Sequence, residues 1–86
     1  MQAAIKKGQE MHAKWDYGSG FDTNFQFNNG LRPDAINFKT NQIIELKPNS
    51  PSGQALGKKQ LQGYMDQANK QFPGRNWTGG VEYYNP

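Results

Sequence analysis

The chain has 86 residues, no cysteine, a single histidine, 34% hydrophobic residues and a formal net charge of +3. That length suits one small domain, residues 1–86, with one modest core of only marginal stability. No apolar stretch approaches membrane-spanning length and no signal peptide is visible. The lack of cysteine excludes disulfide staples and thiolate zinc sites, so any metal must be held mainly by carboxylates. The mild positive balance fits a polyanionic partner and equally a merely soluble surface.

In chain order, residues 2–15 predict an amphipathic helix, with Ala4, Ile5, Gly8, Met11, His12 and Trp15 on one face. Gly8 weakens that helix, so close packing or a functional need must keep it there. Asp16 to Gly20 is a loop; it has neither the preceding strand nor the lysine of a phosphate-binding loop. Phe21, Thr23, Phe25 and Phe27 alternate, which predicts a first strand over 21–27, ended by the turn Asn28-Asn29-Gly30. A hairpin of 34–38 and 42–47 follows. Pro48 to Gly53 connects it to a second helix over 54–71, for which Ser52 is the expected cap. Pro73-Gly74 stops that helix, and Val81 to Tyr84 is a last short strand.

The hairpin carries charge where a short strand would normally pack. Side chains alternate faces, so register decides which of its charges meet. A two-residue loop at Lys39-Thr40 sets Asp34 across from Glu45; one at Thr40-Asn41 sets Asp34 across from Lys47. Both registers put Asp34, Ile36, Phe38, Ile43, Glu45 and Lys47 on one face. That face is apolar near the turn and charged at the far end. Two facing carboxylates repel, and a hard divalent cation relieves the repulsion, taking oxygens from one or two carboxylates, water and a substrate phosphate. Lys47 would then orient water or neutralise phosphate charge. The same three residues also fit an exposed acid–lysine cross-strand pair, worth about 0.2–1 kcal/mol. On the second helix Gln60 and Tyr64 stack four residues apart beside Leu61, with Lys58 and Lys59 just before them. They suit a phosphate or the lysine, or simply surface and core. Trp15, Trp77, Tyr83 and Tyr84 read as core more readily than as base-stacking platforms.

Pro33-Asp34, Glu45-Leu46-Lys47 and Gln60-x-x-x-Tyr64, in that order, resemble the PD-(D/E)XK nuclease superfamily, including a helix motif of one exonuclease-like branch. With Arg32 and Gly57-Lys58-Lys59 added, the chain is similar to the small nuclease toxin domains at the C-termini of bacterial polymorphic toxins. The resemblance implies an α/β restriction-endonuclease-like core of order αβββαβ, a small mixed sheet flanked by helices. It implies a chain that is the C-terminal part of a longer protein, delivered as a secreted effector into the cytoplasm of a target bacterium and neutralised by a cognate immunity protein. It assigns Asp34 and Glu45 to Mg²⁺ (with Mn²⁺ as substitute), Lys47 to catalysis, and Gln60 and Tyr64 to substrate contact or support of the lysine. Glu10 is the candidate for a further first-helix acid; His12 is its rival there, and otherwise a packed or partner-contacting residue. The implied reaction is metal-dependent phosphodiester hydrolysis of DNA, or of RNA, with little sequence specificity. Lys6, Lys58, Lys59 and Arg75 are candidates for backbone contacts with the nucleic acid. Two other classes remain: an inactive nucleic-acid-binding module, which would gain nothing from two acids facing phosphate, and a protein-interaction domain.

Overall fold

The computed structural model describes residues 2–86, with side chains from residue 5 onward. Five elements follow one another: α1 (Gln2–Lys14), β1 (Ala35–Asn37), β2 (Gln42–Pro48), α2 (Pro51–Gln71) and β3 (Thr78–Tyr84). Strand β2 is central, antiparallel to β1 and parallel to β3. A parallel neighbour requires a crossover, and α2 supplies it. The fold is therefore the expected α/β arrangement, a small mixed sheet with helices.

The hairpin takes the register of the Lys39-Thr40 loop, since Ala35 pairs Ile44, Ile36 pairs Ile43 and Asn37 pairs Gln42. Its turn is built by asparagines. Asn37 Oδ1 accepts from the backbone N–H of Lys39 (2.9 Å) and Thr40 (3.1 Å), and Asn41 takes the left-handed backbone (φ 57°) that asparagine tolerates. On one face of the sheet, Ile36 and Ile43 are fully buried with Phe27, Ala68 and Trp77; Phe25, Phe38, Leu61, Tyr64, Met65 and Phe72 pack around them. Burial of a side chain such as Ile43 contributes about 1.5–3 kcal/mol. Helix α2 covers this face closely because it has glycine where it crosses β2 and β3. A Cβ at Gly57 would lie 2.9 Å from Val81 and 3.0 Å from Lys47. The helix begins earlier than expected, and its cap is Ser50, not Ser52: the Ser50 hydroxyl accepts from Gly53 N–H at 3.1 Å, with Pro51 in the first turn.

The strand expected over 21–27 does not form. Among the described residues that segment makes a single bridge, Asp22 to Ile36, with N–H···O distances of 2.7 and 3.0 Å. Asp22 Oδ1 then takes the Asn24 N–H at 2.7 Å, a local bond that competes with a ladder. The alternation is nonetheless real as packing: Phe25 and Phe27 meet edge to face at 5.0 Å, and Phe25 meets Phe38 at 5.1 Å.

The opposite face of β2 is covered more thinly. Ile5 of α1 is 61% exposed, against the expectation of a packed stripe; the side chain of Ala4 lies outside the described residues. Helix α1 is tied on through its last turns: Trp15 Nε1 donates to Glu82 Oε1 at 2.6 Å, and His12 lies 3.1 Å from Leu46 O. Gly8 allows this approach, since a Cβ there would lie 3.1 Å from the Tyr84 hydroxyl. No helix among the described residues is long and apolar enough to cross a membrane.

Candidate active site

The site lies where the hairpin stops pairing. Pro33 has no N–H to extend the β1 ladder. The Leu46 N–H, which a continued ladder would give to a backbone carbonyl, goes instead to the side chain of the next residue: Asp34 Oδ2 accepts it at 2.8 Å. The observed register continues to Asp34 opposite Glu45, and side-chain alternation directs Glu45 and Lys47 to the same face. Lys47 Nζ lies 3.6 Å from Glu45 Oε2. The stem of the lysine runs past Gly57, which leaves it room beneath α2.

Glu45 is 2% exposed, and its Oε1 is buried without a hydrogen-bond partner. An unpartnered carboxylate oxygen in such a place is costly. Burial first, then the adjacent Asp34, push the Glu45 carboxyl up to about 8, with Lys47 offsetting part of the rise. A carboxyl raised this far by burial and a neighbouring acid marks a candidate functional site. The donor set fits a hard divalent cation: two adjacent carboxylates, one with a free buried oxygen, suffice for Mg²⁺, which retains waters and takes the rest of its shell from substrate. Among the described residues no three histidine or acidic side chains gather as a metal cluster. Glu10 in particular is exposed and is not brought to the pair. It lies two residues from His12, about 200° around the helix, and it is the His12 side chain that comes within 3.4 Å of Asp34.

His12 Nε2 stands 3.4 Å from Asp34 Oδ2 and 3.1 Å from Leu46 O, while Nδ1 stands 2.7 Å from Gly8 O. Tyr64 approaches from α2: burial, then Glu45 and Asp34, raise its phenol to about 12, so it stays a neutral donor beside the acids. Gln60 lines a cavity with Tyr64. Tyr17, which sequence reasoning left in a loop, has its phenol pushed well above the ordinary range by burial and then by Asp34, Glu45 and Glu82. Its placement depends on the path of 16–34, which the alternation over 21–27 does not determine. Arg32 was read only as part of a motif; it lines an open cleft of about 810 Å³ with Gln9, His12, Tyr17, Asn24 and Asp34.

Of the expected backbone-contacting cations, Lys6, Lys58 and Lys59 are exposed. Arg75 is engaged elsewhere. Its guanidinium lies 5.5 Å over the Phe38 ring and 5.9 Å over Trp77, at the turn end of the hairpin. Four residues of strand separate Phe38 from Asp34, about 13 Å, so the structure does not bring Arg75 to the acids.

A mixed α/β core that sets two acids and a lysine at the end of a buried hairpin is that of a restriction-endonuclease-like domain. The profile of the restriction endonuclease fold toxin 9 family matches residues 1–84, and the chain belongs to that family. Comparison with curated proteins and with solved structures finds no match.

Proposed function

We propose that the domain is a metal-dependent nuclease that hydrolyses phosphodiester bonds, with DNA as the first substrate to test and RNA as the alternative. The observation that carries this reading is the buried Glu45 beside the half-buried Asp34, with Glu45 Oε1 unpartnered and Lys47 Nζ 3.6 Å from Oε2. An acid–lysine pair kept for stability would satisfy both carboxylate oxygens or lie in water.

Asp34 and Glu45 would hold Mg²⁺, or Mn²⁺ in its place; when bound, the ion supplies a Lewis acid for the phosphodiester and its attacking water. Lys47 is aimed by Glu45 and by the groove at Gly57, so its ammonium donates to a phosphate oxygen or orients the water. Tyr64, kept neutral, adds a hydrogen-bond donor, and Gln60 an amide one turn away on the same helix. Asp34 Oδ2 is anchored by Leu46 N–H, which fixes the carboxylate before any ligand arrives. Lys6, Lys58 and Lys59 supply contacts to the phosphate backbone that carry no sequence information, so binding should weaken steeply with salt. Membership in a toxin family supports the role of an effector delivered into a target bacterium and blocked by an immunity protein.

The test is cleavage of plasmid DNA, then of RNA, by the native chain, Glu45→Ala and Lys47→Ala, each with Mg²⁺, Mn²⁺ or EDTA. Cutting that needs the ion and is lost in both variants is the expected result. Binding of nucleic acid without cutting of either substrate would replace this reading with that of an inactive binding module.

A further inference from the structure

Helix α2 contains three glycines, and the fold accounts for two of them. A Cβ at Gly53 would collide with Pro48 O, and one at Gly57 with Val81 and Lys47. Gly63 differs. It lies in regular helix, where glycine is among the poorest residues, and a Cβ built on it meets nothing within 4 Å. Neither packing nor backbone conformation calls for glycine there. The space above it belongs to a cavity of about 370 Å³ lined by Leu31, Leu56, Lys59, Gln60, Gly63 and Tyr64.

The walls of this cavity are unusual for so small a domain. Leu31 and Leu56 are 38% and 47% exposed, two of the large apolar side chains that the described fold leaves in water. Leu31 is held in place. Its carbonyl accepts from Phe27 N–H at 2.8 Å, and the turn before it is pinned to α2 by Gln67 Nε2 donating to Asn28 Oδ1 (2.8 Å) and Asn28 N–H donating to Gln71 Oε1 (2.9 Å). A rigid apolar slot with a glycine floor admits a flat group to the helix backbone. Leu56 and Gln60 flank Gly57, where α2 passes over the Lys47 stem, so the cavity lies beside the charged end of the hairpin. At the rim stand Lys59, with Lys58 beside it, and the Gln60 amide. An apolar slot for a ring, cations for a phosphate and an amide for a polar edge match one nucleotide.

We propose that the Leu31–Leu56–Gly63–Tyr64 cavity receives an unpaired nucleobase adjacent to the phosphodiester being cut. The inference rests on the nuclease reading and extends it to substrate class. A paired base has both faces covered by its neighbours in the stack, so the preferred substrate is a single strand or an unstacked stretch.

The experiment uses end-labelled single-stranded oligonucleotides of one base composition, each with one abasic spacer, and the matching duplex. Native protein, Gly63→Ala and Leu56→Ser are compared, with thermal unfolding of each. The native protein should cut the intact single strand faster than the duplex and lose about tenfold in rate beside the spacer, the scale of one lost stacking contact. Gly63→Ala should melt at or above the native temperature, cut the intact strand as slowly as the native chain cuts beside the spacer, and be indifferent to the spacer. Leu56→Ser should lose the spacer effect likewise. Cutting by the native chain that ignores the spacer, or that favours duplex, overturns the subsite and leaves the cavity to a side chain of a protein partner. Absence of any cutting by the native chain is instead the failure of the nuclease reading, and the subsite falls with it.

Discussion

The β1–β2 hairpin ends in two opposite ways. At its turn, Phe38 lies among Phe25, Phe72 and Trp77 with ring centroids 5.1–5.5 Å apart, and Arg75 covers the outside. At the other end, no more than four residues away on β1, Asp34 and Glu45 face each other, and a buried oxygen has no partner. Ile43, between the two ends, and Glu45, at the charged one, are equally out of water, at 0% and 2% exposure. The difference is in what burial does. Around Ile43 it stabilises the fold; around Glu45 it costs stability that the fold recovers elsewhere. On the nuclease reading proposed above, that cost serves the reaction.

That contrast can be broken from either side. The largest expected effect is Ile43→Ala, which should destabilise the domain by about 2–5 kcal/mol, measured by chemical denaturation. Next is Glu45→Gln, which should raise the melting temperature at pH 8 in EDTA while lowering cleavage by about 10²–10³-fold; a lower melting temperature would mean that the buried charge is not a burden. The pH course sharpens this. Glu45 releases its proton near pH 8 when folded but near 4.5 when unfolded. Between those values the folded chain binds more protons, so native stability in EDTA should fall as pH rises from about 4.5 to 8 and then level off, with the slope reduced in Glu45→Gln. Gly57→Ala is expected to be smaller: the Cβ displaces Val81 and the Lys47 stem by a few tenths of an ångström, costing about 1–3 kcal/mol and slowing cleavage per folded molecule. Arg75→Ala should cost only about 0.5–1 kcal/mol and leave cleavage unchanged.

Sequence periodicity carried much of the charged end. The alternation of 34–38 and 42–47 placed Asp34, Glu45 and Lys47 on one face, and the asparagine turn chose between two registers that local rules left open. The α2 motif was legible because residues four apart on a helix must stack. The 21–27 segment misled because alternation reports which side chains are buried, whereas a strand also needs a partner for its backbone; β1 offers only Ile36 there. On α2, Leu56 is left 47% exposed while its neighbour Gly57 makes the tight crossing with Val81. Tyr17, His12 and Arg32 come into one cleft with Asp34 through the path of 16–33, whose alternation over 21–27 reports burial and not the direction of the chain. Glu10 fell to the same limit: being the only acid on a helix says nothing of which face the helix presents.

The attachment of α1 has a consequence for how the molecule opens. Its grip depends on a few polar contacts, Trp15 to Glu82 and His12 to Leu46, with Ile5 left in solvent. Asp34, by contrast, is bound to β2 by a backbone amide that owes nothing to the helix. Detachment of α1 is thus a local event well below the free energy of global unfolding, and its amides should exchange with deuterium long before those of β2. The carboxylate pair, on the face that α2 covers, would outlast α1.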